Sequence, residues 1–385
     1  MSTRGPIRVL YDHQAFAFQN FGGISRYHAD LWKKFESIPG IHAKIAVLYS
    51  DNANLAELTS LRGSYQPTAS YRRPFPNSLF RKLRQKHTVA IANRRHSLAA
   101  LTRGDFDIFH PTYYDPYFVE SLPRTPIVLT VHDMIHEIFP DQFPLAETTT
   151  FQKETCVQHA THLIAVSETT KRDLMRFHRL SADAITVIHH GSDLSPERIS
   201  PASLSLPTRY LLYVGHRNGY KNGYFLWRAL RRAILDTPDL HLLCAGGGSF
   251  SAGENAFLAS LGLQERVLSV GAFPAELVAL YQRAVAFIFP SLYEGFGIPI
   301  LEAFNCNCPV LASDTPALRE IADEAAVYFD PKNIEAIEES TRRILVDRDL
   351  RAKLVQAGAK RRGDFSVDKC AQETARLYAS LASVR

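Results

Sequence analysis

The sequence predicts an α/β fold built from two Rossmann-like domains facing a cleft, and three observations carry that reading. The chain has 385 residues, too many for one ordinary core and suited to two domains of roughly 150–200 residues each. Short apolar runs alternate with longer helical patterns along its whole length, which is the signature of parallel α/β layers. The alternation breaks once, in the Ser- and Pro-rich stretch 191–208, which lacks periodicity and reads as an interdomain linker. The expected boundaries are an N-terminal domain over 1–192, a linker over 193–208, and a C-terminal domain over 209–366. The amphipathic segment 367–385 forms a last helix that returns to the N-terminal domain.

In the first half the expected strands are Ile7–Tyr11, Ala43–Tyr49, Ile108–His110, Ile127–Val131, His162–Val166 and Thr186–Ile188. Helical patterns fall at Gly23–Phe35, Arg81–Leu101, Thr149–Ala160 and Thr169–Phe177. The last opens with Ser167 as a helix-capping hydroxyl. In the second half the expected strands are Tyr210–Val214, His241–Ala245, Val267–Val270, Ala286–Phe289 and Pro309–Ala312, with helices between them.

Composition narrows the class. With 46% hydrophobic and 22% charged residues the chain reads as a soluble globular protein. No run of eighteen apolar residues is present, so no helix is expected to span a bilayer. The first residues run into the strand at Ile7 without the apolar stretch of a signal peptide, which predicts a cytoplasmic protein. Five scattered cysteines read as reduced thiols, and Cys306 and Cys308 have neither zinc-knuckle spacing nor a second pair. The net charge of +5 is unevenly spread: eight Lys/Arg and no Asp or Glu fall between Tyr71 and Arg95. Such a block, with Phe75, Leu79, Phe80 and Leu83 among it, suits either a solvated face or peripheral contact with an anionic membrane.

The segment richest in chemistry runs from Phe287 to Phe304 as strand, tight turn and helix. Pro299 sits in the first helical turn, where its missing N–H costs nothing. Gly295 and Gly297 let the backbone approach a ligand, with the amides of Phe296, Gly297 and Ile298 free to meet a diphosphate at a helix N-terminus. Glu294 before the turn and Glu302 one turn into the helix supply acceptors for sugar hydroxyls.

This stretch, Glu294-Gly-Phe-Gly-Ile-Pro-Ile-Leu-Glu302, resembles the E-x7-E signature of the retaining glycosyltransferases of family 4, which have the GT-B fold. The resemblance implies that Glu294 contacts the donor sugar, that Glu302 holds the ribose hydroxyls, and that the amides between them bind sugar and phosphate. The family's basic pair after the first strand of the second domain falls on Arg217 and Lys221, two cations for the leaving diphosphate. Its glycine-rich loop falls on Gly22 and Gly23, and its strand-end His-Asp on His132 and Asp133. The phrases His110-Pro-Thr-Tyr-Tyr and Arg217-Asn-Gly-Tyr-Lys-Asn are most similar to bacterial mannosyltransferases that build O-antigen chains.

The expected catalytic set is His132, Arg217, Lys221 and Glu294. The donor set is Gly22, Gly23, Arg217, Lys221, Phe273, Glu294, Gly295, Phe296, Gly297, Ile298 and Glu302. Acceptor contacts are assigned to Arg26, Tyr113 and Asp133. No metal and no cofactor beyond the nucleotide sugar is expected, and Asp105-Phe-Asp107 reads as a strand-entry turn rather than a metal-binding D-x-D. The implied activity is retaining transfer of a sugar to a hydroxyl of a glycan or lipid-linked saccharide. GDP-mannose is the expected donor and UDP sugars the alternative. The rival readings are a sugar-nucleotide epimerase or phosphorylase and a non-catalytic nucleotide-sugar-binding homologue. Nucleic acid is not an expected partner.

Overall fold

A computed structural model of the chain describes residues 5–61, 63–70, 79–122, 124–199, 203–271 and 273–383, with side chains of 59 and 79–86 left aside. The chain divides into two compact units. One comprises Met1–Val166, Thr170–His189 and Val367–Arg385; the other comprises Ser167–Thr169 and His190–Ser366.

In the first unit the strands are β1 (Ile7–Tyr11), β2 (Ile41–Ile45), β3 (Ile108–His110), β4 (Val128–Val131), β5 (His162–Ala165) and β6 (Ile185–Val187). All pair in parallel, as β2-β1-β3 and β4-β5-β6. A parallel bridge between Phe109 and Ile127 joins the two halves into one sheet. The chain steps from β1 out to β2, then returns to the other side of β1 for β3, so the strand order reverses between β1 and β3. Asp107 fixes that register: its carboxylate takes the Arg8 amide at 2.8 Å and the Arg8 guanidinium at 2.9 and 3.2 Å. The D-x-D pattern is thus spent, at Asp107, on a strand clamp.

In the second unit the strands are β7 (Arg209–Val214), β8 (Leu240–Ala245), β9 (Val267–Val270), β10 (Ala286–Phe289), β11 (Val310–Ser313) and β12 (Ala326–Phe329). They form one parallel sheet in the order β12-β11-β10-β7-β8-β9, reversing between β7 and β10. Ligands of such open sheets bind at the carboxyl ends of the strands, at the reversal point. The second unit's candidate residues other than Phe273 follow β7 and β10, the two strands that flank the reversal. Of the observed strands, only β12 was not anticipated. The described part of the segment expected as a linker has no regular element and belongs to the second unit, with Leu194 buried.

The helix Val367–Ala382 closes the core of the first unit. It buries Cys370, Ala371 and Tyr378 against Val9, Tyr11, Trp32 and Phe35, and so packs on β1 and on the helix Gly23–Phe35. Its polar anchor is a chain of buried side chains. The Tyr378 hydroxyl lies 2.7 Å from the Tyr11 hydroxyl and 2.6 Å from Nδ1 of His110. His110 Nε2 reaches the Thr130 hydroxyl at 2.9 Å, which lies 3.1 Å from the Tyr27 hydroxyl. All five side chains are buried, so each hydroxyl and ring nitrogen depends on its neighbour for the hydrogen bond that water no longer supplies.

No helix of the described residues is long and apolar enough to cross a membrane. All five cysteines are free and buried. The membrane contact expected of the 71–95 segment falls mostly on residues 71–78 and on the side chains of 79–86, which lie outside the described residues.

The Tyr378 chain gives a direct test. Tyr378→Phe keeps the ring packing and strands two buried partners, so it should destabilise the chain by about 1–3 kcal/mol. A urea midpoint equal to wild type, at unchanged slope, would show that the hydroxyl anchors nothing.

Candidate donor and acceptor sites

In the second unit the loops after β7 and β10 meet at the reversal point. The Leu292 amide donates to the Tyr220 carbonyl at 2.7 Å, and Asn222 Nδ2 donates to the carbonyls of Pro290 (3.1 Å) and Pro331 (2.8 Å). Gly223 lets the loop double back, because a Cβ there would fall 2.6 Å from the Arg217 carbonyl. Pinned in this way, Lys221 donates from Nζ to Glu294 Oε1 at 2.7 Å, each side chain partly open to solvent. An ammonium has three donors, so this pair leaves Lys221 with hydrogen-bonding capacity to spare.

The turn after Glu294 is shaped by Gly297, whose φ of 116° lies in the region that L side chains avoid. A Cβ there would also come within 3.0 Å of Leu318. Gly297 caps the helix Ile298–Asn305, with Pro299 in its first turn. The first amides of any helix have no partner within it, and those of Gly297 and Ile298 stand at this end. Behind the turn, the Phe296 ring is buried edge-on against His190 (5.0 Å) and Phe365 (5.9 Å). The Ser167 hydroxyl donates to the Gly295 carbonyl at 2.6 Å. Glu302 is buried in the same helix and accepts from the Tyr281 hydroxyl at 3.1 Å.

Arg217 differs from expectation. It does not stand beside Lys221 as a second displayed cation but is 4% exposed, and its donors are turned inward. Nε donates to Glu254 at 2.6 Å, and the two terminal nitrogens to the carbonyls of Gly246 (2.7 Å) and Gly247 (3.2 Å). Three successive glycines, Gly246 to Gly248, all take positive φ, which aims consecutive carbonyls at one guanidinium. Burial alone would raise the Glu254 carboxyl, but its bonds to Arg217 and to Ser251 outweigh that and hold it below the usual carboxylate value. The triple glycine thus wraps a buried cation, and Glu254 is a partner the sequence reading missed. Phe273 stands apart, after the outer strand β9, with 74% of its surface exposed.

In the first unit the candidates collect at three neighbouring strand ends. Gly22, Gly23 and Arg26 follow β1 where the helix Gly23–Phe35 begins; Tyr113 follows β3; His132 and Asp133 follow β4. The His132 ring lies edge-on to Tyr27 at 5.3 Å, and its amide donates to the Tyr114 hydroxyl at 3.2 Å. Burial, opposed in part by Asp133, pushes its imidazole down to about 4. The loop beyond is held by Lys153, fully buried, which donates to Glu137 at 2.9 Å and to the Asp133 carbonyl at 3.0 Å. This ion pair was also invisible in the sequence. Among the described residues no group of three His, Cys, Asp or Glu side chains is placed to hold a metal ion.

Comparison with known families and proteins fits this geometry. Residues 21–196 match the model described as Glycosyltransferase Family 4, and residues 197–361 match Glycosyl transferases group 1. The chain belongs to glycosyltransferase family 4. This glycosyltransferase is 29% identical over 303 residues to O-antigen chain mannosyltransferase B of Escherichia coli, an alignment spanning 74% of this chain and 77% of that one. Among solved structures it resembles sucrose-phosphate synthase from Thermosynechococcus elongatus, with a TM-score of 0.73 and 19% identity, covering 99% of this chain and 100% of that one. It also resembles the HepE protein of Anabaena, solved with UDP and glucose, with a TM-score of 0.71 and 18% identity, covering 97% of this chain and 99% of that one. The fold class is therefore GT-B: two parallel-sheet Rossmann-like units, with the C-terminal helix packed on the first.

Two tests follow from the site geometry. Arg217→Ala strands a buried carboxylate and should cost about 3–5 kcal/mol. Lys221→Ala removes a partly exposed pair and should cost about 1 kcal/mol or less; equal losses in thermal unfolding would contradict the two roles. Second, His132 and His110 titrate in the folded state at about 4 and about 3, against 6.5 unfolded. The unfolded chain binds more protons in that window, so stability is at its full value above pH 6.5 and declines as pH falls toward those folded values. His132→Gln should flatten part of that slope, and an unchanged slope would place the titration elsewhere.

Proposed function

We propose that the enzyme moves a hexosyl group from a nucleoside-diphosphate sugar to a hydroxyl of a saccharide acceptor, with retained anomeric configuration. The observation that carries this reading is the Lys221–Glu294 pair at the reversal point between β7 and β10, beside the helix end capped by Gly297. A cation and free amides suit a diphosphate, and a carboxylate suits sugar hydroxyls. In the reaction the bond from the anomeric carbon to the distal phosphate oxygen breaks. The acceptor oxygen bonds to that carbon from the same face, and its proton passes to the leaving phosphate.

On this reading Lys221 and the amides of Gly297 and Ile298 stabilise the charge that grows on the departing diphosphate. Glu294 orients the donor sugar, Glu302 the ribose, and exposed Phe273 packs on the base. Arg217 acts by shaping the loop rather than by touching phosphate. His132 serves as a neutral hydrogen-bonding group beside the transferring sugar, and Asp133, Tyr113 and Arg26 contact the acceptor. Mannose from GDP-mannose is the proposed donor, on the likeness to the E. coli mannosyltransferase. A UDP sugar is the second reading, on the likeness to the Anabaena protein that holds UDP and glucose. The acceptor is proposed to be a growing glycan or lipid-linked saccharide at an anionic membrane face, with the basic 71–95 segment as the contact.

A thermal-shift panel of GDP-mannose, GDP-fucose, UDP-glucose and UDP-galactose decides the base, since a ligand that binds only the folded state raises its melting temperature. Glu294→Ala and Lys221→Ala should each abolish transfer in a chain that still melts cooperatively. Turnover at the wild-type rate in either variant would remove these residues from the chemistry.

A further inference from the structure

The first unit presents two phenyl rings to solvent at the edge where its sheet is open to a ligand. Phe18 ends the helix Gln14–Phe18 and is 51% exposed; Phe21, three residues on, is 50% exposed. Both belong to the connection that leaves β1, one flank of the strand-order reversal. On the other flank, the connection after β3 brings Tyr113 against Phe18, with ring centroids 4.6 Å apart and planes tilted by 55°. Tyr113 also lies beside the end of β4. Burial, with the nearby carboxylates of Asp133 and Glu137 adding to it, pushes its phenol up to about 12. Aromatic surface therefore runs from the open edge toward the group formed by His132 and Asp133.

A single exposed phenylalanine calls for no explanation. These two are set apart by what lies beneath them. Four buried polar side chains, Ser25, Ser50, Asn52 and Asn54, are committed to the loop that carries the rings. The Ser50 hydroxyl donates to the Phe16 carbonyl at 2.6 Å and Asn52 Nδ2 to the Gln19 carbonyl at 2.5 Å. The Ala53 amide donates to the Asn20 carbonyl at 2.9 Å, and Ser25 Oγ to the Gly22 carbonyl at 3.1 Å. Gln19 folds back to accept the Ser25 amide, so close to Gly22 that a Cβ there would sit 2.5 Å from its oxygen. A loop fixed at both ends of its exposed stretch holds its rings at a set place and tilt.

A pyranose ring has an apolar face of C–H bonds and a rim of hydroxyls. It matches an aromatic surface bordered by polar groups, and here half-buried Gln19 and exposed Asn20 stand between the two rings in the chain. A membrane is the other surface that could take exposed phenyl rings, but interfacial segments combine such rings with cations. Residues 12–23 contain no Lys or Arg. We infer that Phe18 and Phe21 form a stacking platform for the pyranose ring of the acceptor, with Tyr113 as its inner wall. This rests on the proposed function in taking the acceptor to be a saccharide.

Saturation-transfer NMR on the full chain tests it, with methyl α-D-mannopyranoside and methyl α-D-glucopyranoside as probes. Wild type should transfer saturation to the ring C–H protons of at least one probe. F18A/F21A should weaken that binding by roughly 5- to 10-fold, the worth of an aromatic contact. F18L/F21L, which keeps apolar bulk without an aromatic face, should lose it as well and covers a folding defect in the alanine variant. F18Y/F21Y should restore it. Saturation that is equal in wild type and the leucine variant, or absent from wild type for both probes, overturns the platform. So does a loss of phosphatidylglycerol vesicle binding in F18L/F21L with probe binding intact. The donor-induced thermal shift reads the second unit separately and should be the same in every variant. Its absence from wild type would sink the donor reading instead, whatever the NMR gives.

Discussion

The side chains that meet across the strand ends of each unit depend on one constraint, the reversal of strand order within a parallel sheet. Parallel strands place all their carboxyl ends on one edge. When the chain returns to the other side of its first strand, the connections on either side of that point leave in opposite directions and a gap opens between them. The second unit fills the rim of its gap with Lys221 from one connection and Glu294 from the other. The first unit does the same with Phe18 after β1 and Tyr113 after β3. Neither pair is close in sequence, and both are brought together by the winding of the sheet alone.

Such a rim works only if its loops hold still, and the protein achieves this by burying polar groups rather than by shortening the loops. Arg217 gathers two glycine carbonyls and Glu254 into the floor of the loop after β7. Lys153 does the same for the turn after β4, binding Glu137 and the Asp133 carbonyl. Buried charge is costly unless every donor finds a partner, so these cations fix their surroundings closely. The groups that stay partly or fully exposed at these rims are Lys221 and Glu294 in one unit and the rings of Phe18 and Phe21 in the other.

The layers were legible in the sequence because parallel strands buried on both faces read as uninterrupted apolar runs. Strands β1, β3, β9 and β10 and the helix Gly23–Phe35 stand at the bounds expected of them, and the last helix starts where expected and ends at Ala382. Strand β12 was missed because Ala326-Val-Tyr-Phe329 is short and follows a helix rich in alanine, so no change of period marks it. In the segment from Glu294 to Glu302, the glycine turn and the helix start were legible because only certain residues tolerate those backbone angles. The partners of Arg217 were not: Glu254 lies 37 residues away, and whether a guanidinium faces inward depends on burial, which no local spacing encodes. The same holds for Phe18, whose exposure follows from the hydrogen bonds of residues 50–54 and not from its own neighbours.

The Tyr11–Tyr378 contact has a consequence for the order in which the molecule is made. Its two hydroxyls are separated by 367 positions, and the helix carrying Tyr378 completes a core begun by β1. On the ribosome, the first unit therefore lacks its closing helix until the whole of the stretch His190–Ser366 has been made. The second unit, almost entirely the continuous stretch His190–Ser366, has all of that stretch before the helix emerges. Domains usually fold in the order they appear; here the unit that is started second is the one that is complete first. Until then, the apolar faces of β1 and of the helix Gly23–Phe35 stay uncovered, which makes the interval before residue 382 emerges the time of greatest exposure to chaperones and to aggregation.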